Sequence, residues 1–320
     1  MCGIAGSINF KLSYRDIDQN MFHRGPDEQA GFMIDNIDLY HLRLSILDIE
    51  GGKQPMHLND RYTIIFNGEI YNHADIRTML NLKGNTASDT ETILLLYQKY
   101  GTDLLQYLEG MFAFAIYDNQ EKKIFIGRDR AGKKPVYYYN DREKIVFASE
   151  LNCLKGLLPL QIETNHFYHY LRIGSFYGSL TPYKNVEELN AGHFLLIDCT
   201  TLQITKKCWW SINNFYLQTH KDRFEESMEK VDSYLNSAVK RRVESSDLEV
   251  GSFLSGGIDS GLTTAIASQY KNNIKTFTVS FDGEYDEAPL AKLVADKYQT
   301  KHTEIKISFD HLKNDLEKIC

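Results

Sequence analysis

The sequence has few of the features that mark metal-binding, nucleic-acid-binding or membrane-spanning proteins. No two cysteines form a Cys-x-x-Cys pair and no histidines cluster at zinc spacing, so neither a zinc site nor a disulfide framework is predicted. The net charge is −7, and the short basic segments Arg241-Arg242 and Gly132-Lys133-Lys134 are interpreted as solvated faces, which argues against a nucleic-acid partner. The longest strongly apolar run, residues 111–117, is too short to cross a bilayer.

The remaining composition is that of an ordinary globular protein. Hydrophobic residues make up 42% and charged residues 25% of the 320 residues, and this length favours two domains. The first residues show no basic segment followed by an apolar core, so no signal peptide is predicted. We therefore expect a cytoplasmic protein whose five cysteines are mostly buried and reduced. The sequence leaves open whether the protein forms a homo-oligomer.

The pattern of predicted elements changes after residue 207. Residues 2–207 show short strands separated by turn residues, with a closing strand predicted at 193–198. Helices are predicted only at about 73–81, 89–100 behind a Ser88 cap, and 165–172, which favours packed antiparallel sheets with helices outside. Residues 208–223 lack periodicity and are predicted to be a linker. Residues 224–320 alternate helices with apolar strands, which predicts βαβ units on a parallel sheet. The fold class is therefore α+β followed by α/β.

The amino terminus carries a candidate nucleophile. If Met1 is removed, Cys2 carries a thiol with a reference pKa of about 8.5 and an α-amine with one of about 7.7–8.0. An amine beside a thiol can act as a built-in general base. Taken alone, Cys2 is equally well explained as a small apolar residue before a strand.

A glycine-rich turn between a predicted buried strand and a predicted helix is a candidate phosphate site. Its sequence is Ser255-Gly256-Gly257-Ile258-Asp259-Ser260. Free backbone N–H groups and the helix dipole favour an anion there, and Asp259 could hold Mg²⁺. The turn is not a Walker A loop, because Gly257 stands where the lysine is needed. An ordinary glycine turn is the alternative.

These motifs together carry a family resemblance. The turn resembles the pyrophosphate loop of the N-type ATP pyrophosphatases, which cleave ATP to AMP and pyrophosphate. Met1-Cys2-Gly3-Ile4-Ala5-Gly6 resembles the start of class II glutamine amidotransferases, whose mature chain begins with the nucleophilic cysteine. In this order the two halves resemble the glutamine-hydrolysing asparagine synthetases. The other matching motifs are His23-Arg24-Gly25-Pro26-Asp27, Arg43-Leu44-Ser45-Ile46, Asn67-Gly68-Glu69-Ile70-Tyr71-Asn72, Ser88-Asp89-Thr90-Glu91, Gly110-Met111-Phe112-Ala113-Phe114-Ala115 and Gly127-Arg128-Asp129, the last interpreted as a structural turn.

The resemblance implies an N-terminal nucleophile-type αββα sandwich for residues 2–207 and a partial ATP-pyrophosphatase sheet for residues 224–320. Cys2 would attack the side-chain amide of glutamine, and Asn67 and Gly68 would form the oxyanion hole. The implied glutamine-binding residues are Arg43 for the α-carboxylate, Glu69 and Asp89 for the α-ammonium, and Arg24 along the mobile edge of the pocket.

In the second half the resemblance implies ATP as a substrate, with Mg²⁺, and aspartate as the acceptor of ammonia. Leu254 and Val279 would pack against the adenine nucleotide. The implied phosphate cradle is Ser255, Gly256, Gly257, Asp259 and Ser260, with Asp259 also a candidate Mg²⁺ ligand.

The sequence departs from the resemblance after Ser260. No second Ser-Gly-Glu-Gly-type loop follows, and no residues for an aspartate substrate are recognised. We expect the chain to be a fragment, with a degenerate synthetase half as the alternative. Three functions stay open: asparagine synthesis, ATP-dependent amidation of another carboxylate, and a chain that only hydrolyses glutamine or only binds nucleotide.

Overall fold

The computed structural model describes residues 2–219, 221–281, 283, 286–308 and 313. The chain divides into two compact units, Met1–Thr219 and His220–Cys320. Within the described residues, no helix combines the length and the apolar character that a membrane span requires.

The strands of the first unit alternate with short helices. The strands are β1 (Gly3–Ile8), β2 (Glu28–Ile34), β3 (Ile37–Arg43), β4 (Met56–Leu58), β5 (Tyr62–Ile70), β6 (Gly110–Asp118), β7 (Lys123–Arg128), β8 (Tyr137–Asn140), β9 (Ile145–Ala148), β10 (Val186–Glu188), β11 (His193–Asp198) and β12 (Ile204–Cys208). The helices are α1 (Tyr14–Met21), α2 (His73–Leu80), α3 (Asp89–Tyr100), α4 (Leu151–Leu157), α5 (Thr164–Ile173) and α6 (Asn213–Tyr216).

Two antiparallel sheets form the centre of the first unit. Their strand orders are β10-β8-β9-β1-β3-β2 and β12-β11-β7-β6-β5-β4. Because side chains alternate along a strand, β6 directs Ala113 and Ala115 into the core between the sheets, and Phe112 and Phe114 toward the layer that contains α3. A third apolar cluster joins α1 and α4 to the outside of the first sheet. These four layers confirm the expected αββα sandwich.

Helix α1 was not predicted, because only a polar stretch was recognised between the first strand and the His23 motif. The helix buries only Ile17 and Met21, which are four residues apart, so its apolar stripe is narrow. The usable signal is the Ser13 cap, whose side chain accepts a hydrogen bond from the Asp16 N–H. A cap followed by this spacing is enough for a two-turn helix that tertiary packing stabilises.

The first unit extends into the segment predicted as a linker. Strand β12 runs to Cys208, and Trp209 stacks on Phe112 with its Nε1 donating to the Arg128 carbonyl at 3.1 Å. The packing of this unit therefore continues beyond residue 207, and residues 213–216 form the short helix α6.

The second unit begins with α7 (Phe224–Glu244), followed by β13 (Gly251–Phe253), α8 (Ile258–Tyr270), β14 (Lys275–Ser280), α9 (Ala288–Lys297) and β15 (Lys301–Lys306). The three strands are parallel in the order β13-β14-β15, which confirms the βαβ prediction. The expectation that β13 is buried is wrong: Phe253 is 85% exposed, because β13 lies at the edge of the sheet and pairs only with β14. The sequence also predicts a helix at about residues 309–319; apart from residue 313, that segment lies outside the described residues.

Candidate active site

A cavity of about 70 Å³ lies beside Cys2 in the first unit. Its walls come from the start of β1, the segment after β3, the end of β5 and the start of α3, which are distant in sequence. It brings together six of the residues expected at a glutaminase site: Cys2, Arg43, Asn67, Gly68, Glu69 and Asp89. Its lining also contains residues that were not predicted: Gln54, Thr90, Met111 and Lys134.

The Cys2 thiol is held by the backbone of one residue, Leu44, in the segment after β3. The Leu44 N–H donates to Cys2 Sγ at 3.4 Å, and the thiol lies 3.6 Å from the Leu44 carbonyl oxygen. Burial raises the pKa of Cys2, while the Leu44 hydrogen bond acts in the opposite direction. The thiol is therefore protonated at neutral pH and needs a base to become a nucleophile.

Arg24 supports the backbone of Cys2. It was expected along the mobile edge of the glutamine pocket, but it is not among the residues that line the cavity. Its Nε donates to the Cys2 carbonyl oxygen at 2.9 Å, and its Nη1 contacts Glu150 Oε1 at 2.8 Å. Arg24 is 8% exposed. The guanidinium is used to hold the residue that carries the thiol, so the structure makes it a positioning residue.

Two hydrogen-bond donors face the cavity from the end of β5. Among the described residues, neither Nδ2 nor Oδ1 of the buried Asn67 has a hydrogen-bond partner. The N–H groups of Phe66 and Ile70 both donate away from β6, to Gln54 and Asp89. Because N–H direction alternates along a strand, the Gly68 N–H points to the same edge, between those two bonds. The Asn67 amide and the Gly68 N–H are therefore adjacent donors.

Position 68 leaves no room for a side chain. A Cβ added to Gly68 would lie 2.2 Å from the Met111 carbonyl oxygen and 2.7 Å from Phe112 Cα. The close approach of β5 to β6 thus depends on glycine here, and it places the Gly68 peptide at the cavity wall.

Arg43 ends β3 and is 3% exposed. Its Nη1 donates to Glu28 at 3.0 Å and to the Ile49 carbonyl at 2.8 Å, and its Nη2 donates to the Asp48 carbonyl at 2.8 Å. Among the described residues, these bonds use three of the five guanidinium donors. The Nε–H and one Nη2–H can still bind a carboxylate side-on. Arg43 can thus act as a carboxylate clamp while it supports the segment after β3.

Two carboxylates, those of Glu69 and Asp89, line the Cys2 cavity. Asp89 is the first residue of α3, behind the predicted Ser88 cap, and accepts the Ile70 N–H at 2.9 Å. Burial, helped by the charge of Glu69 and opposed by the Ile70 hydrogen bond, raises the pKa of Asp89 to about 7. A bound cation would favour the ionised form of this pair, so the wall suits an ammonium group.

The glycine-rich turn of the second unit borders a cavity of about 530 Å³. Ser255 Oγ and Ser260 Oγ lie 2.8 Å apart, and the Gly256 N–H donates to Glu287 Oε2 at 3.1 Å. Glu287, which was not predicted, thus occupies one of the backbone donors expected to bind phosphate. Of the predicted residues, the cavity is lined by Leu254, Ser255, Ser260 and Val279, and Gly256, Gly257 and Asp259 lie outside the lining.

The two predicted nucleotide-packing residues differ in what they can offer. Leu254 is 2% exposed and packs against Ala291 and Ala295, whereas Val279 is 42% exposed. Only Val279 presents a substantial apolar surface to a ligand. Leu254 instead fixes the start of the turn, with its N–H donating to the Phe277 carbonyl at 2.9 Å.

The described residues contain no group of three or more His, Cys, Asp or Glu side chains that could hold a metal ion. Asp259 is a single exposed carboxylate in the first turn of α8. It therefore fits Mg²⁺ only together with oxygens from elsewhere, as when Mg²⁺ arrives on nucleotide phosphates.

Comparison with known families supports the division between the two halves of the sequence. The sequence model of the glutamine amidotransferase domain matches residues 1–210. The chain belongs to this family. A second model, described as asparagine synthase, matches residues 230–320.

Two curated relatives carry both halves. The chain is 36% identical to the putative glutamine-hydrolyzing asparagine synthetase 2 of Methanocaldococcus jannaschii, over 94% of this chain and 64% of the relative. It is 31% identical to the glutamine-hydrolyzing asparagine synthetase 3 of Bacillus subtilis, over 99% of this chain and 56% of the relative. The chain thus spans less than two thirds of the length of these relatives.

A solved structure described as the allosteric regulatory enzyme of purine biosynthesis has a similar fold. The TM-score is 0.50 at 14% identity, and the match covers 96% of this chain and 80% of that chain. At this identity the similarity concerns the fold alone.

The Cys2 cavity is also shaped by the segment that follows β7, which contains Asp129 and Lys134. Gly127 and Arg128, expected in a turn, end strand β7. Asp129, the next residue, accepts the N–H groups of Phe112 at 3.1 Å and Lys134 at 3.0 Å, so it holds the local backbone. Lys134 itself was interpreted as part of a solvated face, but it is 3% exposed and lines the Cys2 cavity. Burial lowers the pKa of Lys134, and the nearby Arg24 lowers it further. No local pattern distinguishes it from Lys133, because only the folded turn directs one of the two inward.

Proposed function

We propose that the chain is the glutaminase and nucleotide-binding part of a glutamine-hydrolysing asparagine synthetase. In this proposal the glutaminase domain, expected at residues 2–207, continues into the segment 208–223 that was expected as the linker, and residues 224–320 are part of the synthetase domain. The observation that carries the proposal is one cavity that is lined by the Cys2 thiol, by the two candidate oxyanion donors and by charged side chains of both signs. The donors are Asn67 and Gly68, and the charged residues include Arg43, Glu69 and Asp89. The names of the curated relatives support the same assignment.

The first step is attack of Cys2 on glutamine. After removal of Met1, the α-amine takes the thiol proton, and the thiolate adds to the side-chain amide carbon. Asn67 Nδ2–H and the Gly68 N–H stabilise the oxyanion, and one such donor is typically worth about 10²–10³ in rate. The α-amine returns the proton to the leaving nitrogen, which departs as ammonia and leaves a glutamyl thioester. Water then hydrolyses the thioester to glutamate and restores the thiol.

The charged residues of the cavity orient glutamine for that attack. The two remaining donors of Arg43 hold its α-carboxylate, and Glu69 and Asp89 hold its α-ammonium. Opposite charges on opposite sides of the substrate select an α-amino acid and fix which end reaches Cys2. Glutamine in this orientation places its side-chain amide beside the thiol.

The second half supplies the acceptor of ammonia. We propose that ATP, brought in with Mg²⁺, binds at the Ser255–Ser260 turn beside Val279, with Asp259 near the metal. Aspartate attacks the α-phosphorus to give β-aspartyl-AMP and pyrophosphate, and ammonia then displaces AMP to give asparagine. Glu287 must release the Gly256 N–H if phosphate is to bind there.

The glutaminase assignment is tested by glutamate release from glutamine. The Cys2→Ala variant should lose essentially all activity, because no other described thiol lies in the cavity, while ATP binding to the second half stays unchanged. The matched control is Cys208→Ala, since Cys208 is a free, exposed cysteine and its removal should leave the rate unaltered. Activity that survives in Cys2→Ala would refute the assignment.

The acceptor is tested separately by aspartate-dependent exchange between ATP and pyrophosphate, measured in the longest available form of the protein. Exchange that requires aspartate supports asparagine synthesis. Intact glutaminase activity without such exchange would instead indicate another carboxylate, or a chain that only hydrolyses glutamine.

A further inference from the structure

The end of β5 is a strand edge whose N–H groups at Phe66 and Ile70 donate to side chains, with the Gly68 N–H between them. Strand β4 pairs only with residues 62–64 of β5, so the edge beyond that point has no neighbouring strand. The Phe66 N–H donates to Gln54 Oε1 at 2.6 Å, and the Phe66 carbonyl lies 3.0 Å from His41 Nε2. Both backbone polar groups of Phe66, the residue immediately before Asn67, are thus held by side chains.

His41 reaches β5 from the other sheet. It lies on β3, opposite Ile4 of β1, and is 1% exposed. A carbonyl oxygen can only accept, so His41 Nε2 carries the proton in this bond. Burial lowers the pKa of His41 to about 4, which keeps the ring neutral at pH 7. The ring is therefore a fixed neutral donor between the strand that leads to Arg43 and the strand that carries Asn67.

Gln54 holds the same residue from the segment after β3. Its Oε1 accepts from the Phe66 N–H, and its Nε2 lies 3.4 Å from Thr90 Oγ1. Thr90 follows Asp89 at the start of α3. Gln54 thus ties the β5 edge to the helix end that carries the Asp89 carboxylate.

Resting on the proposed function, we propose that His41 and Gln54 are positioning residues that fix the Asn67 amide and the Gly68 N–H at the distance the oxyanion requires. Asn67 has no side-chain partner of its own among the described residues, so its placement depends on the backbone. Oxyanion donors act only when held in advance at the correct position, and a shift of about 1 Å can cost on the order of 10²-fold in rate.

The decisive experiment compares two reactions of the same thiol. Hydrolysis of glutamine needs the oxyanion donors, whereas alkylation of Cys2 by iodoacetamide does not. His41→Leu should lower kcat for hydrolysis by about 10- to 100-fold, less than Asn67→Ala, with a change in KM below about threefold. The alkylation rate should stay within about twofold of the unmutated chain, since alkylation does not use the displaced donors.

Rescue and a matched control distinguish positioning from folding. His41→Gln keeps a neutral N–H donor and should recover most of the lost kcat. Tyr40→Phe removes the hydrogen bond from the neighbouring β3 residue to Asp18, 2.9 Å long, and should leave kcat nearly unchanged. Gln54→Leu should act like His41→Leu, and the two losses should be less than multiplicative, because both residues hold the backbone of Phe66.

Three results would overturn the inference. One is normal kcat in His41→Leu. Another is an equal fall of hydrolysis and alkylation in His41→Leu without rescue by His41→Gln, which would mark a merely structural role. The third is absence of glutaminase activity in the unmutated chain, which would refute the proposed function itself and is recognised before any variant is made.

Discussion

Around Cys2, the first unit assembles its cavity from residues 2, 43, 54, 67, 89 and 134, whereas in the second unit the segment 254–260 supplies most of the candidate phosphate site. The first site therefore depends on the packing of two sheets and a helix layer. The second depends on one local turn, held by bonds such as Ser255 to Ser260 and Gly256 to Glu287. A site of the first kind needs a completed core, while one of the second kind needs only a strand, a turn and a helix.

The two units also differ in how deeply their large apolar side chains are buried. Phe114 on β6 is fully buried in the first unit, whereas Phe253 on β13 and Ile258 on α8 are each 85% exposed in the second. Phe253 and Ile258 thus contribute little to holding the turn, in contrast to the buried Leu254. The comparison predicts that equivalent substitutions will have unequal effects in the two units.

The largest expected difference is between two phenylalanines. Phe114→Ala should destabilise the first unit by about 3–5 kcal/mol, because it leaves a cavity in a closed core. Phe253→Ala should change the stability of the second unit by less than about 0.5 kcal/mol. Amide hydrogen exchange, followed peptide by peptide, reports the two units separately. Similar losses in both units would show that the division by burial is false.

Two glycines provide the next test. Gly68→Ala should destabilise the first unit by about 1–3 kcal/mol and reduce glutaminase activity, since its Cβ would overlap the Met111 carbonyl at 2.2 Å. Gly257→Ala should change stability by less than about 0.5 kcal/mol. Its Cβ would meet only Ser255 Oγ at 3.4 Å, and its φ of −77° suits alanine. Thermal unfolding of both variants measures the contrast, which disappears if Gly68→Ala is as stable as Gly257→Ala.

The smallest effect concerns protonation of Asp89. Its pKa of about 7 in the fold, against 3.8 as its ordinary value, means that glutamine binding must ionise a protonated carboxyl at low pH. In the Cys2→Ala background, where no chemistry occurs, the dissociation constant of glutamine should rise about tenfold per pH unit below pH 7. Calorimetry between pH 6 and pH 8 measures this. Asp89→Asn should remove the pH dependence and weaken binding at pH 8.

The same group has an opposite consequence for stability. Between about pH 4 and pH 7 the folded chain holds a proton on Asp89 that the unfolded chain has released, so stability falls as the pH rises through this range. Asp89→Asn should remove that fall. A retained pH dependence of both binding and stability in this variant would assign the titration to another group.

Local patterns predicted much of the fold. The alternating strand 193–198 and the Ser88-capped helix 89–100 were expected with the bounds that the structure has, because periodicity and capping are properties of neighbouring residues. The unpredicted α1 has only two buried residues, and β13 was assigned as buried because an apolar run does not reveal whether a strand lies at an edge.

For the sites, the sequence by itself predicted the candidate nucleophile and the candidate phosphate turn from short motifs, and the oxyanion pair from the family resemblance that those motifs carry. Only the tertiary structure decided that Arg24 holds the Cys2 backbone, that Lys134 faces inward, and that His41 and Gln54 hold the backbone of Phe66. The bond from Arg24 to Glu150 spans 126 residues and that from His41 to Phe66 spans 25. Such partners become neighbours only when distant strands pair and the layers pack, and no local sequence pattern contains that information.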